Sequence, residues 1–505
     1  MDVMELYQRR APIEITPEDF RKVGYQVVDQ LANFLECLPQ LPVTTGETPT
    51  QIRKILGENS LPDEGHSLES LLDETTRLLV NHSLFNGHPR FWGYITSSAA
   101  PIGALADMIA AMVNPNVGAW ISSPMASEIE AQTVRWIAEM LGYPPDCGGL
   151  FLSGGNVANF VCFMAARNSK ATWDVRVKGI AHGNSNRLVV YCSAETHTWI
   201  EKSVDQYGLG TESVRWIKTD HNLKIDIAAL RDQIIEDKKS GFMPFMVVGT
   251  AGSTGVGVVD DLPGLSKICK EFDLWFHVDA AYGGFAACLP DAPPHLLGLR
   301  EADSVVIDPH KWLYAPLEAG VALVRDPDAL KVAYSHHPPS YYQFDQNPEE
   351  NPLNYYDFGP QNSRGFRALK VWLALRQVGR AGYVRMISDD IQLARALFYL
   401  VEEHPALEAF TQNLSITTFR YAPEDLPKAT RKIEEYLNQL NHELLSRLEK
   451  GGQAFLSKAV IHGTYVLRAC IVNFRTSLED IEALPGIVVR VGKEVDKELR
   501  PPELR

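Results

Sequence analysis

Residues 274–284 read LWFHVDAAYGG, and residues 303–312 read DSVVIDPHKW. Each begins as a short apolar run and ends in an acid followed by small or turn-forming residues. Apolar runs bounded by turns read as strands buried on both faces. Five more flank them: GLFLSG (149–154), RLVVYCS (187–193), SVRWIKT (213–219), PFMVVGT (244–250) and GVALVR (320–325). Helical spacing occupies Ala126–Leu141, Ala158–Arg167 and Pro263–Phe272. Buried strands alternating with helices imply an α/β fold with a mostly parallel sheet over 101–386. Ligands of such sheets bind at the carboxyl ends of the strands.

The flanks read differently. Residues 1–100 read as helices without strands. Thr16 is an N-cap candidate, with Pro17 at the first helical position and Glu18 and Asp19 in the first turn. The apolar stripe Phe20, Val23, Val27, Leu31 and Phe34 is too small to hold a core, so this arm is expected to pack on another body. From 387 to 505 a long helix, a strand LSITTFRY, a charged helix at Lys428–Lys450, a strand TYVLRACIVNF and a helix from Leu478 read as a small α+β domain. Residues 334–358 hold four Pro and no periodicity, the pattern of a functional or mobile loop.

Composition narrows the function. The 505 residues carry 48 Lys and Arg against 63 Asp and Glu, a net charge of −15. That balance argues against nucleic-acid binding and against an anionic membrane surface. No stretch reaches the ~18 apolar residues of a membrane span. The N-terminus shows no apolar signal segment, so a cytoplasmic protein is expected. Seven Cys without a CxxC read as buried free thiols.

The chemistry gathers at the strand ends. Asp279 directly follows a strand, either as a cap or as the partner of a flat ring's nitrogen. Lys311 follows another, either solvated or as a Schiff-base former. Ser153-Gly154-Gly155-Asn156 opens a helix with free N–H groups, a phosphate cradle or a simple tight turn. His197 opens a further helix, as a cap, a core histidine or a stacking side chain. A lysine, an acid, a phosphate cradle and a stacking side chain at successive strand ends are what pyridoxal phosphate requires.

The strings HVDAAYGG and DPHKWL resemble the group II pyridoxal-phosphate decarboxylases, the family of aromatic-amino-acid, histidine and glutamate decarboxylases. HPRFWGYI, LADMI, the SSP…E segment and NSRGFRALKVW resemble further blocks of it, so the likeness spans the chain. The resemblance implies a fold type I (aspartate aminotransferase-like) enzyme with pyridoxal 5'-phosphate as cofactor. It implies that Lys311 carries the cofactor, Asp279 pairs with the pyridine nitrogen, Ala281 packs on the ring and His197 stacks on the opposite face. Gly155, Asn156, Thr254 and His310 match cofactor-contacting positions. Tyr355, in the Pro-rich loop, matches the tyrosine that returns a proton to the substrate carbon. Asp308 stands where several relatives carry Asn near the phosphate. A second anion there would reach the phosphate through backbone or water, or turn away.

The same resemblance places Asn86, Tyr94, Ile95, Thr96, Ser97, Gly118 and Trp120 near the substrate side chain, with Gly118 making room for a large ring. An aromatic L-amino acid is the expected substrate and an amine the expected product. The alternatives are an acidic amino acid held by Arg90 or Arg364, an aldehyde-forming decarboxylase–deaminase, and a silent scaffold. A homodimer with the site at its interface is expected, in which the arm clasps the partner and the loop reaches the neighbouring site.

Overall fold

The computed structural model describes residues 7, 9, 11–57, 60–183, 187–336, 352–427 and 430–504. All seven expected strands form one sheet: β1 (Gly148–Leu152), β2 (Leu188–Ser193), β3 (Val214–Ile217), β4 (Met243–Thr250), β5 (Trp275–Asp279), β6 (Ser304–Ile307) and β7 (Gly320–Val324). Their order is β1-β7-β6-β5-β4-β2-β3. The pairs β6/β5, β5/β4, β4/β2 and β2/β3 are parallel, and β7 runs antiparallel to both its neighbours. Helices cover both faces, which is why nearly every strand residue is buried.

The expected helices begin slightly earlier than their apolar stripes. They span Pro124–Leu141, Gly155–Lys170 and Leu262–Phe272. The first starts on a Pro, which is preorganised for a first turn, and the last is capped by Asp261 through the Gly264 N–H. In the arm, Thr16 accepts from the Asp19 N–H as expected, and the helix Pro17–Cys37 packs on the helix Leu68–Asn81. Of its stripe only Val23 is buried within one chain.

One long helix, Ala368–Glu402, leaves the large sheet and enters the small domain. The expected boundary at 386/387 falls inside it, and the non-helical residue is Gly379, with φ 69°. The small domain is an antiparallel sheet ordered β10-β11-β9-β8, from β8 (Leu407–Asn413), β9 (Ile416–Tyr421), β10 (Ser457–Ile461) and β11 (Thr464–Cys470). The helices Arg431–Gly451 and Leu478–Leu499 pack on it. The sequence reading missed the edge strands β8 and β10, whose mixed polar composition hides a strand. Of the Pro-rich loop, residues 337–351 lie outside the described residues, as do 428–429 of the charged segment. Among the described residues, no helix is long and apolar enough to cross a membrane. All seven Cys are free, and only Cys37 is exposed.

Candidate active site

The carboxyl ends of β4, β5 and β6 and the start of the 155–170 helix enclose one cleft. Gly155, Asn156, His197, Thr254, Asp279, Ala281, Asp308 and Lys311 line it, together with Asn159, Glu195, Thr250, Gly252 and Tyr282. Residues from five separate stretches of the sequence therefore meet in it.

Asp279 ends β5 with its carboxylate held from three sides. The Trp199 indole N–H donates to Oδ2 at 2.8 Å, Asn159 donates to the same oxygen at 3.4 Å, and the Ala281 N–H donates to Oδ1 at 3.2 Å. A second layer fixes Asn159. His277, buried on β5, contacts Asn159 Oδ1 through Nε2 at 2.7 Å and Ser304 Oγ through Nδ1 at 2.8 Å. Ser304 already accepts the Trp275 indole N–H at 2.8 Å, so its hydroxyl proton is free for His277 Nδ1. Both contacts suit a neutral ring protonated on Nε2. Burial pushes the pKa of His277 down to about 3, consistent with that neutral form.

Lys311 sits on a single helical turn, Pro309–Trp312. Its Nζ lies 3.1 Å from Asp308 Oδ2, and His310 Nε2 lies 3.6 Å from the same oxygen. His310 Nδ1 accepts the Ala319 N–H at 3.2 Å, which leaves Nε2 as the protonated nitrogen facing Asp308. Burial lowers the pKa of His310 and Lys311 lowers it further, against the pull of Asp308. Asp308 therefore does not turn away: its Oδ2 holds the lysine, and its buried Oδ1 has no partner. His197 is also shifted down, by burial first and by Lys311, with Asp279 opposing.

These groups fit pyridoxal phosphate. Gly154, at φ 149°, and Gly155 open the helix beside Lys311. A Cβ on Gly155 would stand 2.8 Å from Asp308 Oδ2 and 3.4 Å from the Ala281 methyl, so only glycine keeps that corner open. Buried oxygens of Thr250, Ser253 and Asp308 at or beside the cleft lack hydrogen-bond partners within the chain. A buried polar atom without a partner costs about 1–3 kcal/mol, so a polar ligand here has groups waiting for it.

A model for the pyridoxal-dependent decarboxylase conserved domain matches residues 49–422. The chain belongs to this family. It is similar to an aromatic-L-amino-acid decarboxylase of Bacillus atrophaeus, 32% identical over 96% of this chain and 97% of that one. It is also similar to a phenylacetaldehyde synthase of a Rosa hybrid cultivar, 29% identical over 93% of each chain. Among solved structures it resembles Oryza sativa TDC with PLP and tryptamine, with a TM-score of 0.88 at 26% identity. That match covers 96% of this chain and 99% of the other. The decarboxylase has fold type I and is a pyridoxal-phosphate-dependent carboxy-lyase.

Other expected positions fall elsewhere. Tyr94 is exposed with φ 50°, and the Trp120 indole donates to Glu128 at 2.8 Å; neither lines the cleft of its own chain. Ser97 donates to the His310 carbonyl at 2.8 Å, beneath the lysine turn, and with Asn86 and Thr96 it lines a separate depression. Buried Ile95 joins the main core instead. Gly118 does not open a pocket: a Cβ there would stand 2.0 Å from the Asn362 carbonyl oxygen, so the chain itself fills the space. Arg90 pairs with Asp480 at 2.9 Å, and buried Arg364 pairs with Glu130, which removes both as free carboxylate receptors.

Tyr355 is also outside the cleft. It begins a short 3-10 turn, Tyr355–Asp357, and is fully buried, with the Arg364 guanidinium 4.6 Å over its ring and its hydroxyl without a partner. Burial raises its pKa well above the usual phenol value. The residues missed by sequence reasoning are Asn159, Glu195, Thr250, Gly252 and Tyr282. Asn159 had a signal, lying one turn after the Gly-rich opening on the same helix.

Proposed function

We propose that this carboxy-lyase decarboxylates an aromatic L-amino acid to its amine. The carrying observation is that Lys311 and a rigidly held Asp279 line one cleft. The curated relatives extend it, among them an aromatic-L-amino-acid decarboxylase, a tyrosine decarboxylase and a phenylacetaldehyde synthase. When bound, pyridoxal phosphate supplies a protonated ring that accepts the electron pair left as carbon dioxide departs.

The chain's residues divide that work. Lys311 would hold the cofactor, with Asp308 Oδ2, 3.1 Å from its Nζ, as the charge that keeps it in place. Asp279, held by three donors, would hold the proton on the ring nitrogen. The opening of the 155–170 helix, with Gly155 and Asn156, and His310 and Thr254 beside it hold the phosphate end. Ala281 and His197 would enclose the ring, and His197, as a neutral imidazole, would donate to the substrate carboxylate.

Tyr355 is the proposed donor of the proton to the substrate carbon. In its present seat it reaches no cleft, so its ring must leave Arg364 to act. The exposed apolar faces of the arm and of the helix Pro101–Val113 support a homodimer, in which the loop would reach the neighbouring site. Loss of Tyr355 as donor favours the aldehyde product of relatives such as the phenylacetaldehyde synthases.

A product screen tests the reading. Holoenzyme is incubated with each common L-amino acid, dihydroxyphenylalanine and 5-hydroxytryptophan, and products are read by mass spectrometry. Tyrosine, phenylalanine or tryptophan should give its amine. An acidic winner overturns the substrate class, and an aldehyde overturns the role of Tyr355.

A further inference from the structure

Lys311 lies on a helix of one turn, and a single turn has almost no stability of its own. Its hold comes from outside. Trp312 and Tyr314, on the far side of the lysine, are buried. The Trp312 indole N–H and the Tyr314 hydroxyl both donate to one atom, Oδ2 of Asp390, each at 2.8 Å. Tyr314 has φ 55°, a left-handed conformation that a bulky residue keeps only when its surroundings impose it.

Asp390 is buried on the second half of the 368–402 helix and also accepts the backbone N–H of Asn473 from the small domain. Tyr282, which lines the cleft, stacks on Trp312 with centroids 5.1 Å apart. Its hydroxyl shares a 2.6 Å hydrogen bond with Ser415 beside β9. Trp312 is thus held between the two domains directly behind the lysine. The titratable groups facing Asp390 are Tyr314, Asp389 on its own helix and Cys470 on β11. Burial pushes its carboxyl up to about 7.

We propose that Asp390 is a positioning residue for the reaction: by holding Trp312 and Tyr314 in the body of the protein, it sets the direction and reach of Lys311 into the cleft. Drawing residues 312 and 314 to one side of so tight a turn directs residue 311 to the other, where Asp308 meets it. The inference rests on Lys311 being the cofactor lysine.

The test uses reconstituted holoenzyme and three variants. Asp390→Leu removes the acceptor at similar volume, Asp390→Asn keeps an acceptor oxygen, and Trp312→Phe removes one donor. Measured are kcat, KM and the pH midpoint of the visible band of the lysine-bound cofactor. Asp390→Leu should lose about 10²-fold in kcat, the scale of a misplaced reacting group. KM should stay within about threefold, because the substrate contacts are untouched. The band midpoint should shift, and Asp390→Asn should recover most of both effects. A double variant carrying Asp390→Leu and Trp312→Phe should be no worse than Asp390→Leu alone, because the Trp312–Asp390 contact that Trp312→Phe removes is already lost with Asp390. Should Asp390→Leu fail to fold, Asp390→Asn and Trp312→Phe decide by the same readouts. Variants that only melt earlier, with kcat and band midpoint unchanged, overturn the proposal, as does strict additivity. A Lys311→Ala protein that still forms the visible band removes instead the assignment of Lys311 beneath it.

Discussion

At the scale of single residues, the site is a set of charges whose states are fixed by burial and by specific donors. His277 shows the logic. Its folded pKa of about 3 lies below the ordinary 6.5, so the unfolded chain takes up a proton first as pH falls. The stability it contributes is full above about 6.5 and is lost progressively toward about 3. His277→Gln should flatten the acid limb of a denaturant-midpoint-versus-pH curve, and an unchanged limb would assign that slope to other groups. Tyr355 gives a second residue-scale expectation. Its buried hydroxyl has no partner, so Tyr355→Phe should leave the melting temperature unchanged or raised. The same variant should shift product from amine to aldehyde. Amine alone at the parental rate would remove Tyr355 as the proton donor.

At the scale of elements, glycines decide how closely segments approach. Gly155 lets the start of a helix meet Asp308 and Ala281. Gly155→Ala should preserve the far-ultraviolet spectrum while weakening cofactor affinity, read by quenching of intrinsic fluorescence. An affinity equal to the parent's would mean that the cradle lies elsewhere. Gly118 lets the 116–118 segment lie against Asn362, and Arg364 ties the same region together by donating to the Val117 carbonyl at 2.7 Å. Gly118→Phe therefore should cost about 1–3 kcal/mol by overpacking, rather than merely narrow a substrate pocket. A chemical denaturation curve checks this.

At the scale of the whole molecule, one chain leaves much apolar surface uncovered. On the 101–113 helix, Met112 is 68% exposed and Val113 71%, with Leu105, Met108 and Ile109 beside them and Ile121 and Met125 nearby. Tyr25, Val28, Leu31 and Leu35 are exposed on the arm helix. A contiguous apolar face of this kind marks an association surface. Light scattering should return twice the chain mass, and Met112→Lys should release monomers with reduced turnover. A fully active parent at single-chain mass would refute the dimer.

The seven strands of the large sheet, the cleft at their carboxyl ends and the acid and lysine that follow two of them were legible in the sequence because strands buried on both faces write continuous apolar runs. Asp279, Lys311 and Gly155 follow such runs directly, so local pattern located them. Edge strands β8 and β10 were not legible, because a half-exposed strand tolerates Glu, Gln and Lys and loses its signature. Nor were Glu195 and Tyr282, which enter the cleft through long-range packing. Gly118 looked like open space until the Asn362 carbonyl proved to fill it, and Tyr355, read as part of a Pro-rich loop, proved to be buried against Arg364. Sequence alone determined which residue types stand at the strand ends, since that depends on continuous apolar runs and on the helical period of about four. The tertiary structure alone decided which way their side chains point and what holds them there. Asp390 lies 78 positions from Trp312, and no local pattern reaches that far.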